Sequence, residues 1–179
     1  MPIQIYILSK LMDGNNYPYK LSKELSEPIP FDSIINLTES KLYYHFDSLL
    51  NQGLIESVEV IKEAHRPDKQ VFTITDKGRE QLPLKIYQVF EKAPALANTL
   101  VGLINIRFVE REKVAAIFEK RVEKAILMST HIKDIYGKLD IVDSKRELTD
   151  SFDGYFTDKM DNEIHWTKQI IQKLKNHEI

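Results

Sequence analysis

The chain has 179 residues, 42% hydrophobic and 29% charged, which suffices to bury one core plus an additional segment and argues against disorder. It contains no cysteine, which excludes a disulfide framework, a zinc ribbon and a thiol nucleophile. The net charge of −2 gives no overall attraction for nucleic acid or for a membrane surface.

The first part of the chain, residues 1–82, predicts three short helices. A proline stands at the first helical position of the first two, where its missing N–H costs nothing. Thr38 is expected to cap the third helix, and Gly53 to end it. In chain order the predicted helices are Ile3–Met12, Pro18–Leu25 and the segment between Thr38 and Gly53.

After the third helix the hydrophobic pattern changes from helical spacing to that of β-strands. Leu54–Lys62 and Gln70–Thr75 are rich in β-branched residues and predict two strands, with a polar hairpin loop between them. Helical spacing returns at Asp76. Three helices followed by a two-stranded hairpin is the element order of a winged helix-turn-helix, so we predict a mostly α fold with this domain at residues 1–82.

The second part of the chain predicts helices almost throughout. A helix to Phe90 leads into an apolar segment, Leu96–Phe108, and two long helices, Glu110–Tyr136 and Thr149–Asn176, follow. The apolar faces of these two helices form too thin a layer to cover each other in so small an appendage. We therefore expect residues 83–108 to be a connecting helical segment and residues 109–179 to be a helical dimerisation region.

The third helix and the hairpin carry candidate DNA contacts. At 100° per residue, the helix turns its large apolar residues one way and hydroxyls, aromatic rings and a lysine the other, where they could reach phosphates or base edges. Basic residues in the hairpin could touch the sugar-phosphate backbone. Either feature alone also fits an ordinary solvated surface. The predicted DNA-binding residues are Ser40, Lys41, Tyr43, Tyr44 and Ser48 on the helix, and Lys62, Arg66 and Lys69 in the hairpin.

Three segments of the first part resemble motifs of the PadR family of bacterial transcription regulators. Leu42–Ile55 is similar to the recognition-helix motif, and Arg66–Arg79 to the wing with the Thr-x-x-Gly-Arg start of the next helix. Ile7–Leu21 is similar to the family's first motif, with Pro18 in place of the usual glycine. The resemblance implies a homodimeric repressor, without a cofactor, whose C-terminal helices form the dimer.

The resemblance extends into the last helix, where Glu163-Ile-His-Trp166 is similar to the Glu-x-x-Trp of a longer-tailed subfamily. It implies that an aromatic or drug-like ligand, as in some members, weakens DNA binding from a site near the dimer interface. Aromatic rings on this helix could simply fill the dimer seam or could leave a slot for a planar aromatic or cationic molecule. These seam candidates are Phe152, Tyr155, Phe156 and Trp166.

Enzymatic functions are not favoured by the sequence. The five histidines lack metal-ligand spacing, and no glycine-rich loop follows a strand, so we expect no catalytic residues, metal site or cofactor. The acidic stretch Asp150–Asp161 lacks the alternating spacing of a calcium loop. The longest apolar run is too short to cross a bilayer and the amino terminus lacks the features of a secretory signal, so we expect a cytoplasmic protein.

The charge of the first part keeps a second function open. Residues 1–82 carry nine basic and twelve acidic side chains, and acidic Asp47 lies in the third helix. The main prediction is a sequence-specific DNA-binding regulator, a homodimeric repressor on a palindromic operator, relieved by a small aromatic ligand. The alternative is a winged-helix adaptor that binds another protein and has lost DNA binding.

Overall fold

A computed structural model describes residues 2–26, 38–61, 69–138 and 143–179 of the chain. The chain divides into two compact units. Unit 1 comprises residues 1–89 and 101–108, and unit 2 comprises residues 90–100 and 109–179. None of the described helices combines the length and the apolar character needed to span a membrane.

Unit 1 is the predicted winged helix. Its described elements follow the predicted order of three helices, two strands and a further helix, with ends that differ from the prediction by at most two residues. The elements are α1 (Pro2–Met12), α2 (Pro18–Ser26), α3 (Glu39–Asn51), β1 (Ile55–Ile61), β2 (Lys69–Ile74) and α4 (Asp76–Lys92). The last three residues of α4 belong to unit 2.

The two strands pair antiparallel, with a bulge between Ser57 and Glu59 on β1. A short bridge from the segment between α1 and α2 extends this sheet, because Asn16 exchanges both backbone hydrogen bonds with Phe72. The Asn16 N–H donates to the Phe72 carbonyl at 3.0 Å, and the Phe72 N–H donates back at 2.8 Å. The hairpin is therefore tied to the helical part of unit 1 by backbone bonds.

The core of unit 1 is formed by the apolar faces of its helices and by one face of the hairpin. Phe46 on α3 is 1% exposed, and its ring lies 5.0 Å from that of Phe72 on β2, measured between centroids. This contact holds α3 against the hairpin. The largest fully buried side chains around it are Ile5, Ile7, Leu8, Leu11, Leu21, Leu42, Leu49, Ile55 and Leu82.

Both predicted ends of α3 are confirmed. The Thr38 hydroxyl accepts a hydrogen bond from the Lys41 N–H at 3.3 Å, which satisfies one of the free donors of the first turn. At the other end Gly53 has a φ of +67°, a conformation that glycine adopts without strain. The Leu54 N–H donates to the Leu49 carbonyl at 3.0 Å, which closes a Schellman motif.

Unit 2 is built mainly from two long helices that pack against each other. The segment before them is broken into a 3₁₀ turn (Leu96–Thr99), α5 (Leu100–Ile104) and a second 3₁₀ turn (Ile106–Phe108), of which residues 101–108 belong to unit 1. The long helices are α6 (Arg111–Lys138) and α7 (Asp143–Lys175), so α7 begins six residues before the predicted start. Their shared core includes Val114, Ala115, Phe118, Val122 and Leu174, together with Phe90 from the end of α4.

Candidate nucleic-acid interface

The solvent face of α3 carries four of the five DNA-contact residues predicted on this helix. Ser40, Lys41, Tyr43 and Tyr44 are all exposed, and Tyr44 is the most exposed aromatic residue among them, at 70%. The opposite face of α3 packs in the core through Phe46 and its neighbours. The four exposed side chains therefore lie on a rigid helix. Hydroxyl and ammonium groups in this arrangement can donate to phosphate oxygens and to acceptors on base edges.

Ser48, the fifth predicted residue on α3, lies at the edge of this face and is half-buried. Its hydroxyl oxygen accepts a hydrogen bond from Gln4 Nε2 on α1 at 3.4 Å and another from Gln52 Nε2 at 2.9 Å. Ser48 is thus held by other residues of unit 1, which the sequence pattern did not indicate.

His45 is a half-buried residue of α3. Burial lowers the pKa of its imidazole, which favours the neutral form. Its Nδ1 atom is buried without a hydrogen-bond partner among the described residues. The exposed charges of α3 near this point are therefore those of Lys41 and Asp47.

The hairpin is described at its base but not at its tip. Lys69 opens β2, and its ammonium nitrogen lies 5.5 Å from the centroid of the Tyr17 ring. Lys62 and Arg66 lie outside the described residues, so their predicted contact with the sugar-phosphate backbone stays a prediction.

A further basic residue, absent from the sequence prediction, lies beside the end of α3. Lys77, in the first turn of α4, is exposed and donates from its ammonium group to the Gln52 carbonyl at 2.7 Å. Its position follows from the start of α4, where Thr75 caps the helix by accepting from the Gly78 N–H at 3.1 Å. The Thr-x-x-Gly-Arg motif that marks this turn could have drawn attention to the lysine within it.

The four predicted seam residues lie on the surface of α7 in unit 2. The structure brings Phe152, Tyr155 and Phe156 together, with ring centroids 6.3 Å apart for the two phenylalanines and 5.3 Å apart for Tyr155 and Phe156. Trp166 lies further along α7, where its ring contacts His165 at 5.4 Å. All four are about half exposed, so none of them is part of the core of unit 2.

Unit 2 also contains a cavity of about 410 Å³ between the end of α4, α6 and α7. Arg121 lines it and donates to the Phe90 carbonyl at 2.9 Å, and Glu163 lines it and accepts from the Leu96 N–H. Burial lowers the pKa of Arg121, and the negative charge of Glu163 opposes this effect. None of the four seam residues, all of which the structure describes, lines this cavity. Among the described residues no cluster of three or more His, Asp or Glu side chains could hold a metal ion.

Comparison with known proteins finds a family model that matches the first part of the chain. Residues 7–83 match the model of the transcriptional regulator PadR-like family. This match runs from the middle of α1 to the middle of α4, and so includes α3 and the hairpin. No curated protein matches the chain.

Several solved structures align with the chain at low identity. A PadR family transcription regulator from Clostridium difficile R20291 is 23% identical over 48% of this chain and 84% of its own, with a TM-score of 0.39. Bacillus subtilis PadR in complex with operator DNA is 16% identical over 96% of this chain and 98% of its own, with a TM-score of 0.40. Bacillus subtilis PadR in complex with p-coumaric acid is 15% identical over 98% and 99%, with a TM-score of 0.40. At these TM-scores the alignments support no conclusion about this chain, and the family match rests on residues 7–83.

Proposed function

We propose that this chain, whose residues 7–83 match the model of the transcriptional regulator PadR-like family, belongs to that family and is a sequence-specific DNA-binding repressor that acts as a homodimer. The observation that carries the proposal is the exposed polar face of α3, held rigidly beside a two-stranded hairpin. A capped helix of this kind can enter the major groove while the hairpin contacts the adjacent backbone. A repressor that binds chromosomal DNA works in the cytoplasm of a bacterium.

In this proposal the predicted residues have separate roles. Lys41 neutralises a phosphate, and Tyr44, the most exposed ring of α3, reaches a base edge. Ser40, Tyr43 and Ser48 support the contact from the same helix. Lys62, Arg66 and Lys69 bind the sugar-phosphate backbone from the hairpin.

The excess of acidic residues in 1–82 affects how strongly such a protein would bind DNA without sequence preference. With nine basic and twelve acidic side chains, this region attracts DNA weakly at long range, so non-specific affinity is low. Discrimination then depends on the base contacts of α3. A winged-helix adaptor without DNA binding is the alternative function that the same acidic balance supports.

The surface of unit 2 supports the proposed homodimer. Large apolar side chains stand more than 40% exposed on both long helices, which is costly in water unless a partner covers them. A second copy of the chain would cover them through a two-fold interface, and a two-fold dimer calls for a palindromic operator. These side chains are Ile126, Leu127, Met128 and Ile135 on α6, and Leu148, Phe152, Tyr155, Phe156 and Trp166 on α7.

We assign the regions of the chain accordingly, with residues 1–82 binding DNA, residues 83–108 connecting and residues 109–179 forming the dimer. A small aromatic or cationic effector fits unit 2 at either of two places. One is the aromatic surface around Phe156, where a planar molecule could stack, and the other is the cavity lined by Arg121 and Glu163, which offers charges of both signs.

Selection of duplexes from a random pool tests the proposed function. The chain is expected to enrich a defined sequence, called here the operator duplex, and to bind it more tightly than a shuffled duplex of the same composition. A triple variant, Lys41→Ala with Tyr44→Ala and Arg66→Ala, should lose this preference, whereas Lys20→Ala on α2 should keep it. Equal affinity of the triple variant and the parent for the operator duplex would favour the adaptor function.

A further inference from the structure

A chain of hydrogen bonds in unit 1 connects α4 to the DNA-facing helix α3. Lys85 on α4 donates from Nζ to Gln4 Oε1 on α1 at 3.0 Å, and Gln4 donates from Nε2 to the Ser48 hydroxyl on α3 at 3.4 Å. Gln52 donates to the same hydroxyl at 2.9 Å. We call Lys85, Gln4, Ser48 and Gln52 the Gln4 network.

The direction of each bond in the Gln4 network follows from the chemistry of Lys85. An ammonium group can only donate, so the side-chain oxygen of Gln4 must face it. This fixes the orientation of the Gln4 amide and turns its NH₂ group towards Ser48. Burial lowers the pKa of Lys85, the mark of an ammonium group partly withdrawn from water, for which the Gln4 oxygen replaces lost hydration.

Ser48 is consequently restricted in what it can offer to DNA. A hydroxyl oxygen accepts two hydrogen bonds, and here Gln4 and Gln52 supply both. The Ser48 O–H is then left to donate only, so it suits acceptors such as phosphate oxygens or purine N7 and not the amino groups of bases. The bond from Gln4 also restrains the rotation of α3 about its axis at the point where Ser48 meets α1.

We propose that Lys85 is a positioning residue for operator recognition, which acts through Gln4 on the Ser48 hydroxyl and on the orientation of α3. This inference rests on the proposed function, since it takes α3 as the helix that reads DNA. Lys85 itself need not touch DNA in this role, which separates it from Lys41 and from the hairpin lysines.

The first experiment compares binding of the operator duplex and of its shuffled counterpart by Lys85→Met. This variant keeps the length of the side chain and removes the donor. The ratio of the two affinities should fall about five- to tenfold, the effect of losing one hydrogen bond, with the salt dependence of binding unchanged. Lys20→Met is the matched control, because it removes the same charge from an exposed lysine of unit 1 and should leave the ratio unchanged.

Gln4→Glu separates the direction of the hydrogen bond from packing. A glutamate still accepts from Lys85 but cannot donate to Ser48. We expect a fall in the affinity ratio like that of Lys85→Met, with no decrease in the midpoint of thermal unfolding. In the Ser48→Ala background, Lys85→Met should have no further effect on the ratio, because the two residues act along one path.

The outcomes separate this inference from the proposed function. If the parent chain prefers no sequence, the proposed function fails and the inference falls with it. If the parent prefers the operator duplex but Gln4→Glu and Lys85→Met retain its full ratio, only the inference fails. Equal weakening on both duplexes, with a salt slope smaller by about one, would instead make Lys85 a direct phosphate contact and would overturn the inference.

Discussion

Gly78 shows how one residue fixes the junction between the hairpin and α4. A Cβ atom added at this position would lie 2.1 Å from the Leu54 carbonyl oxygen and 2.7 Å from Cγ1 of Ile74. The backbone of Leu54 cannot retreat easily, because its carbonyl also accepts from the Thr75 N–H at 3.1 Å. The glycine of the Thr-x-x-Gly-Arg motif is therefore required by close packing, and its φ is not the reason.

Gly78→Ala is expected to lower the free energy of unfolding by about 1–3 kcal/mol, the usual effect of overpacking a tight contact. Gly154 on α7 provides the control, because a Cβ atom there would meet nothing within 4 Å. Gly154→Ala should raise the free energy of unfolding by roughly 0.5–1 kcal/mol through helix propensity. Urea denaturation measures both, and an unchanged stability for Gly78→Ala would contradict the packing argument.

Tyr44 carries the proposed base contact, and its removal should therefore affect sequence recognition. Tyr44→Ala should cost about 1–3 kcal/mol of binding free energy on the operator duplex and much less on a shuffled duplex. Tyr19→Ala, at another exposed tyrosine of unit 1, should change neither affinity. Fluorescence anisotropy titrations measure these differences, and an equal loss on both duplexes would show that Tyr44 binds the backbone.

Among the secondary-structure elements, those bounded by a capping residue or by a glycine were predictable from the sequence. The start of α3 at Thr38 and its end at Gly53 follow from a cap and from a positive φ, both of which depend on neighbouring residues only. The observed start of α7 lies six residues before the predicted one, because the residues before Leu148 show no apolar periodicity. The extra bridge at Asn16 has no sequence signature, since one pair of backbone bonds creates no pattern.

The candidate site was predictable to the same extent. Exposure of Tyr44 follows from helical periodicity, because Tyr44 lies two positions from the buried residues Leu42 and Phe46 and so about 200° around the helix from each of them. The bond between Gln4 and Lys85 joins residues 81 positions apart, so only the folded chain brings them together. Ser48 was accordingly predicted as an outward-facing residue without its partners on α1 and beyond the end of α3.

The hairpin is the element for which we expect a purely electrostatic contribution. Arg66→Ala should weaken binding to every duplex by a similar factor and should reduce the slope of log affinity against log salt by about one. Titrations at several salt concentrations measure this slope. Lys20→Ala on α2 is the control, and a loss confined to the operator duplex would show that Arg66 reads bases.

At the level of the whole molecule, the exposed apolar surface of unit 2 predicts the state of assembly. Light scattering at micromolar concentration should give twice the chain mass of 20.9 kDa. Trp166→Ala should weaken the dimer by a few kcal/mol, on the order of other buried aromatic truncations, if a second copy covers this ring. Leu84→Ala, at an exposed leucine of unit 1, should leave the dimer intact. A species of one chain mass for the parent would contradict the proposed homodimer.

An effector that acts through unit 2 should be detectable by the one tryptophan of the chain. Planar cationic dyes and phenolic acids are expected to quench Trp166 fluorescence and to weaken binding to the operator duplex in the same concentration range. Phe156→Ala tests the aromatic surface, and Arg121→Met tests the cavity. Absence of quenching at millimolar concentrations, or quenching with unchanged operator affinity, would contradict the proposal that such an effector regulates DNA binding.

The central claim is that two copies of the chain bind one palindromic sequence through their α3 helices. Analytical ultracentrifugation of a labelled operator duplex with the chain tests it most directly, because it reports affinity and stoichiometry together. We predict two chains on each operator duplex, half-sites about one helical turn apart or a multiple of that, and much weaker binding to a duplex that holds one half-site. Equal binding to operator and shuffled duplexes, or one chain on each operator duplex, would contradict the account.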